Sequence, residues 1–198
     1  MYFYKNLLTN KAPQDYLLNR GLRSNIVNTF MLGYALNSWD DLLNFAKNKG
    51  IKEEDLLELG LVAKSKKGNY YDKYRNRLIF PIIDTYGRVI GFGGRSIDMA
   101  MPKYLNSPES DVFKKRFNLY GLNNFKKQNR RDLILVEGYM DVIALNNNGI
   151  DLAVASLGTA FTIEQAKLAN RYADSIYICY DSDSAGIKAT KRAIEIFR

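Results

Sequence analysis

Leu133-Ile-Leu-Val-Glu-Gly-Tyr-Met-Asp141 decides how this chain is read. Four apolar residues, Leu133–Val136, make a short strand of the buried type. Glu137 and Gly138 stop it, and the stretch Met140–Asn147 then takes helical spacing. The same succession returns twice downstream. Leu152–Leu157 is a second apolar run, ended by Gly158. Thr162-Ile-Glu-Gln165 is a capping box that opens a helix to about Tyr172. Ser175–Tyr180 is a third run, ending at Asp181, and Ser184–Phe197 is again helical. Strands alternating with helices over short links predict a mostly parallel sheet with right-handed crossovers.

Upstream of this segment the pattern changes. Arg77-Leu-Ile-Phe-Pro-Ile-Ile-Asp84 and Arg88-Val-Ile-Gly-Phe-Gly93 flank Thr85-Tyr-Gly87 as a hairpin, with Pro81 marking its strand as an edge or a bulge. Residues 64–68 and 102–108 read as loops, and residues 111–120 as a short helix. The first third is helical. Helices are expected at residues 13–20, at 39–49 behind an N-cap at Ser38, and at 52–59. The fold class is therefore α/β. A mixed α+β part, residues 1–131 (1–61 helical, 62–131 β-rich), precedes the parallel sheet of residues 132–198.

Charge follows the same division. Residues 1–61 are neutral, residues 62–131 carry 16 Lys/Arg against 5 Asp/Glu, and residues 132–198 carry 6 against 9. A basic middle beside an acidic end suits a polyanion platform next to a cation site; surface lysines that only keep a segment soluble would read the same way. The 198 residues contain no histidine and one cysteine, Cys179. Histidine-based catalysis and the usual zinc sites are excluded, as is an internal disulfide. No apolar run reaches the roughly 20 residues of a membrane span, and the lysine-broken amino terminus is no secretory signal.

Glu137 lies at the carboxyl end of the first parallel strand, and Asp181 and Asp183 at that of the third. Ligands bind at this edge of open parallel sheets. Ionised carboxylates brought together call for a cation, and oxygen-only donors favour Mg²⁺ or Mn²⁺. Asp141, four residues after Glu137, adds a fourth acid one helical turn on. Capping of the helix that starts near Ser184 accounts equally well for Asp181-Ser-Asp183. In the basic part, Gly91-Phe-Gly-Gly94 before Arg95 suits either a phosphate approach or a tight hairpin end. Lys103-Tyr104-Leu-Asn106 offers a charge, a ring and an amide, or a proline-bounded turn with a packed tyrosine. Tyr70, Tyr71 and Tyr74 read as packing residues and Cys179 as a small buried apolar side chain.

At these residues the chain resembles a known family. Val136-Glu-Gly-Tyr-Met-Asp-Val142, Ala155-Ser-Leu-Gly-Thr-Ala160 and Tyr180-Asp-Ser-Asp-Ser-Ala-Gly186 resemble the TOPRIM domain of bacterial DnaG-type primases. Arg75-Asn-Arg77, Phe80-Pro-Ile82, Gly91–Arg95, Pro102-Lys-Tyr-Leu-Asn-Ser-Pro108, Phe113-Lys-Lys115 and Leu119-Tyr-Gly121 resemble the amino-terminal half of the same catalytic core. The resemblance implies an RNA polymerase that starts primers on single-stranded DNA, with two divalent metals stabilising an in-line attack on the α-phosphate. It implies catalytic roles for Glu137, Asp181 and Asp183, and metal ligation, by Mg²⁺ or Mn²⁺, at Glu137, Asp141, Asp181 and Asp183. Arg75, Arg77, Arg95, Lys103, Tyr104, Asn106 and Lys115 would line the template and nucleotide groove. A non-catalytic TOPRIM nucleic-acid-binding module and a TOPRIM nuclease are the alternatives.

The chain departs from the family pattern in carrying neither a zinc module nor a helicase-binding region. The TOPRIM-like sheet is accordingly expected to be partial, its last acidic motif lying past Arg198. Ser182 stands where the family has glycine, and Thr29 where a basic residue is usual. The implied partners are single-stranded DNA and ribonucleoside triphosphates. A replicative helicase and a single-strand-binding protein would engage through regions outside this sequence. The resemblance also implies a cytoplasmic monomer with no membrane contact.

Overall fold

The computed structural model describes residues 1–98, 100–128, 130–158 and 160–198. It forms two compact units. One contains Met1–Ile82 and Gly91–Phe113; the other contains Ile83–Ile90 and Lys114–Arg198. The charge step at residues 131/132 lies within the second unit.

The first unit begins with three short helices, α1 (Tyr2–Thr9), α2 (Lys11–Asn19) and α3 (Ser24–Thr29), followed by strand β1 (Gly33–Ala35). Of these, the sequence reading anticipates only α2. The other three escape it because each is shorter than the window over which periodicity shows. Helices α4 (Asp41–Lys47) and α5 (Glu53–Glu58) follow, then a hairpin of β2 (Val62–Lys64) and β3 (Tyr70–Asp72), unanticipated strands on either side of the loop expected at residues 64–68. Strands β4 (Arg77–Ile83), β5 (Val89–Ser96) and β6 (Tyr104–Asn106) complete a sheet of order β1-β4-β5-β6.

Three expectations need correction here. Ser38 does not cap α4: its hydroxyl bonds Asp40, and the amides of Leu42 and Leu43 are capped from afar by the Asp72 carboxylate at 2.7 and 3.0 Å. Strand β4 is not an edge, since it lies between β1 and β5. β1 pairs only with Arg77–Ile79, so Pro81 is tolerated just past the end of that ladder. Residues 104–106 are a strand, pairing Arg95 with Tyr104 and Gly93 with Asn106. Tyr74 and Ile79 are buried with Phe3, Ala35 and Leu42 in the core of this unit.

The second unit holds the parallel sheet, ordered β8-β7-β9, with β7 (Asp132–Val136) between β8 (Ala153–Ala155) and β9 (Ser175–Ile178). Helices α7 (Tyr139–Asn147), α8 (Ile163–Asn170) and α9 (Ser184–Phe197) link and follow the strands. Leu133, Leu135 and Val154 on the sheet pack with Phe161, Ala166, Ala169 and Ala193. The helix expected over residues 111–120 shrinks to a single 3₁₀ turn, Lys115–Phe117, before the four-residue helix α6 (Leu122–Phe125). Gly121 between them has φ of +84°, and a Cβ there would press on the Ala153 carbonyl and on Val142. That close approach lets Tyr120 pair with the edge of β8 through Ala155. Cys179 is exposed, not buried: it lies just past β9, whose outer edge has no partner strand among the described residues. No helix is long and apolar enough to cross a membrane, among the described residues.

Candidate active site

Strand β7 delivers Glu137, and β9 delivers Asp181 two residues beyond Cys179. The parallel register, Leu135 opposite Ile178, brings the two strand ends side by side. Glu137 Oε1 accepts the backbone N–H of Asp181 at 3.0 Å. The two segments are 44 residues apart in sequence and meet through this bond. Gly186, in the first turn of α9, is what permits the approach. A Cβ there would overlap the Asp181 carbonyl oxygen and come within 3.0 Å of Glu137 Oε1.

The other acids each hold a helix start. Asp183 Oδ1 accepts from Gly186 N at 2.8 Å as the N-cap of α9, and Asp141 Oδ2 accepts from Gly138 N at 3.0 Å. The capping role that the sequence left open for Asp183 is therefore real. All four acids are exposed. Among the described residues no three acidic or cysteine side chains converge into a ready metal cage. Carboxylates that repel one another and answer to separate backbone amides are held apart.

A cleft of about 270 Å³ opens beside Glu137, lined by Ser156, Gly158, Phe161, Tyr180 and Arg192 among others. The sequence reading picks out neither Tyr180 nor Arg192 as side chains. Burial, and then the Glu137 charge, push the Tyr180 phenol up to about 12. Thr159 of the Ala155–Ala160 motif lies outside the described residues. Lys115 is in this same unit. Its 3₁₀ turn is fixed by Gln165, which is fully buried and donates to the carbonyls of Lys115 at 3.1 Å and Asn118 at 2.9 Å. Thr162 Oγ1 adds a bond to the Arg116 carbonyl at 3.0 Å. The capping box thus does a second job that no local pattern reveals.

In the first unit the basic residues divide by what they touch. Arg77 is buried, and its Nη1 donates to the Pro102 carbonyl at 2.8 Å and more weakly to those of Lys103 and Gly94. Burial lowers its pKa. Arg77 accordingly braces the loop that carries Lys103, whose own side chain is exposed. Arg95 is 7% exposed, donates to the Tyr104 hydroxyl at 2.7 Å and lies over the Tyr16 ring. Tyr104 is half-buried beside it. Arg75 lies over the Trp39 ring, and Asn106 is half-buried at the edge of the sheet.

A family profile described as "DNA primase catalytic core, N-terminal domain" matches residues 2–126, nearly two thirds of the chain. The chain belongs to the DNA primase family. A second profile, "Toprim-like", matches residues 134–198. The DNA primase of Clostridium acetobutylicum is 52% identical over 198 residues, all of this chain and 33% of that protein. The DNA primase of Deinococcus radiodurans is 48% identical over 185 residues, 91% of this chain and 32% of that one. This primase chain thus spans about a third of the length of these relatives. The catalytic core of Escherichia coli primase superposes with a TM-score of 0.93 at 40% identity, covering 98% of this chain and 64% of that one. A DnaG primase catalytic domain bound to single-stranded DNA superposes with a TM-score of 0.91, also at 40% identity and with the same coverage. The primase resemblance of the sequence motifs and the TOPRIM-type α/β fold are both borne out by these matches.

Proposed function

We propose that this chain is the part of a DNA primase that synthesises short RNA primers on single-stranded DNA, with nucleotidyl transfer centred on the acid rim of residues 132–198. The observation that carries the reading is the Glu137–Asp181 bond at the carboxyl edge of β7 and β9, in a chain of this family.

The donor chemistry fits a hard divalent cation, Mg²⁺ or Mn²⁺. Glu137, Asp141, Asp181 and Asp183 would hold it through one or two carboxylates, with water completing the shell. Once bound, such ions supply charge stabilisation to the attacking and leaving oxygens. The protein's own part is positioning. Glu137 keeps one oxygen on the Asp181 amide and so fixes both strand ends. Lys103 and Lys115 supply point charges for phosphate oxygens, each on a segment braced by a buried partner, Arg77 and Gln165. Within the first unit Arg75, Arg95, Tyr104 and Asn106 would offer a nucleotide and template surface, Tyr104 giving a ring for bases. Single-stranded DNA as template follows the relative that carries it. A replicative helicase and a single-strand-binding protein would join through the remainder of the full-length protein, and the setting is the cytoplasmic replication fork.

The test is Glu137→Gln. The amide oxygen still accepts from Asp181 N, so the fold is kept while the charge is lost. Mn²⁺ affinity should fall in a calorimetric titration. Primer synthesis from labelled ribonucleotides should be abolished in the full-length enzyme. Retained affinity and synthesis would end the assignment. DNA binding by the wild-type enzyme without synthesis would favour the binding-module alternative, and strand cleavage the nuclease.

A further inference from the structure

A groove of about 420 Å³ runs between the three amino-terminal helices, and none of its lining residues belongs to the site described above. Its floor is aliphatic: Leu7 of α1, Leu17 of α2, Val27 of α3 and Leu22 just before α3 are all buried. Two further leucines stand on its rim in water, Leu8 at 51% and Leu18 at 71% exposed. Hydrogen bonds fix the walls. The Tyr4 hydroxyl donates to Asn28 Oδ1 at 2.6 Å and ties α1 to α3. Gln14 Nε2 donates to the carbonyls of Leu7 and Leu8 at 3.0 and 2.8 Å and ties α2 to the last turn of α1.

Exposed leucines gathered on an apolar cleft mark an interaction surface. The charge around it has one sign. Residues 1–30 carry four basic residues, Lys5, Lys11, Arg20 and Arg23, against one acid, Asp15. Asp15 lines the groove and is matched by Lys11 Nζ at 2.5 Å. The surplus is therefore positive: Arg23 lines the groove, Lys5 lies one helical turn before Leu8, and Arg20 follows the end of α2. The walls are helices, whose backbone groups bond one another, so an occupant must satisfy its own amides. A helix does so, and α1 and α2, eight and nine residues or about 12 and 14 Å, offer it two to three turns of contact. We infer that the α1–α3 groove docks an amphipathic helix of a partner protein, with leucine-type side chains on its apolar stripe and acidic residues on its flanks. The acidic flanks answer the basic rim.

The probe is a labelled peptide of about 12 residues, with leucine at every third or fourth position and glutamate elsewhere. It is titrated into the full-length enzyme and followed by anisotropy and circular dichroism. Binding should saturate with a gain in peptide helicity. Leu18→Glu should weaken it about tenfold or more. Leu18 is exposed, so the variant should melt with wild type, and its primer synthesis should be unchanged. Arg23→Glu should weaken binding about threefold. The same peptide with lysine in place of glutamate should bind wild type about tenfold more weakly. Absence of saturation, or equal affinity for Leu18→Glu, would overturn the proposal. So would displacement by oligothymidylate, which would show the peptide to be a polyanion on the DNA-binding surface. A concentration-dependent dimer in sedimentation that Leu18→Glu abolishes would give the groove to a second copy of this chain, and would also overturn it. None of these outcomes touches the primase reading, which a loss of synthesis in Glu137→Gln tests separately.

Discussion

Gln165 offers the sharpest test of how the second unit organises its basic edge. Its side chain is fully buried, donates to two backbone carbonyls, those of Lys115 and Asn118, and accepts from Thr162 N at 3.2 Å. Gln165→Leu keeps the volume and removes all three bonds. The Asn118 carbonyl and the Thr162 N–H then lose this partner, and the Lys115 carbonyl keeps only the Asn118 N–H at 3.1 Å, unless the 3₁₀ turn Lys115–Phe117 swings out to water. Each orphaned group costs about 1–3 kcal/mol, and movement of the turn relieves part of it. The net loss should be about 2–4 kcal/mol, and for a chain of this size each kcal/mol is about 2–4 °C in melting temperature. Gln165→Glu adds a sign. An ionised carboxylate would face two carbonyl oxygens, and only the protonated acid, with its single O–H, can keep one of the two donated bonds. Its folded pKa would rise above the ordinary glutamate range near 4.3. Stability would then be fully present below about pH 4.3 and lost as pH rises through the higher folded value. Thermal unfolding from pH 4 to 8 reads both variants. A Gln165→Leu chain melting with wild type, or a Gln165→Glu chain with a flat pH profile relative to wild type, would refute the reasoning. Amide exchange localised to residues 114–118 would support it.

Gly186→Ala should displace Asp181 and break its bond to Glu137, lowering Mn²⁺ affinity about tenfold or more; calorimetry checks this, and unchanged affinity would show that the contact is dispensable. Asp98 is held at about 2 by the Ser96 hydroxyl first, then the Asn76 amide and the Ala100 N–H. Its folded form binds a proton more weakly than the unfolded chain, so its contribution is present above the ordinary aspartate range and lost as pH falls through about 2. Asp98→Asn should flatten that acid limb in an unfolding titration followed by circular dichroism. Arg77→Met should free the Pro102 and Lys103 carbonyls from their brace, loosen the Lys103 loop and reduce the salt slope of single-strand binding; a slope equal to wild type would separate Arg77 from Lys103.

The parallel half was legible because its signals are local. Leu133–Val136, Ser175–Ile178 and the Thr162–Gln165 box are each set by period or by a cap that acts within four residues. The first third was less legible. Helices α1 and α3 and strands β1–β3 are three to eight residues long and take their form from packing against distant partners. The cap of α4 is Asp72, about thirty residues away, so a search for a nearby serine could only stop at Ser38. Cys179 looked buried because its strand is apolar, whereas the sheet leaves β9 at an open edge.

Residue types and spacing by themselves determined that carboxylates stand at strand ends, with basic side chains upstream, since the first follows from the alternation of strand and helix and the second from the charge count of residues 62–131. Only tertiary structure decided which groups meet. Glu137 reaches the Asp181 amide because β7 and β9 are neighbours in the sheet, Arg77 turns inward to brace a loop, and Arg75 lies on Trp39. Hydrogen bonds and stacking act over a few ångströms in space, and chain distance carries no record of which residues folding will bring that close.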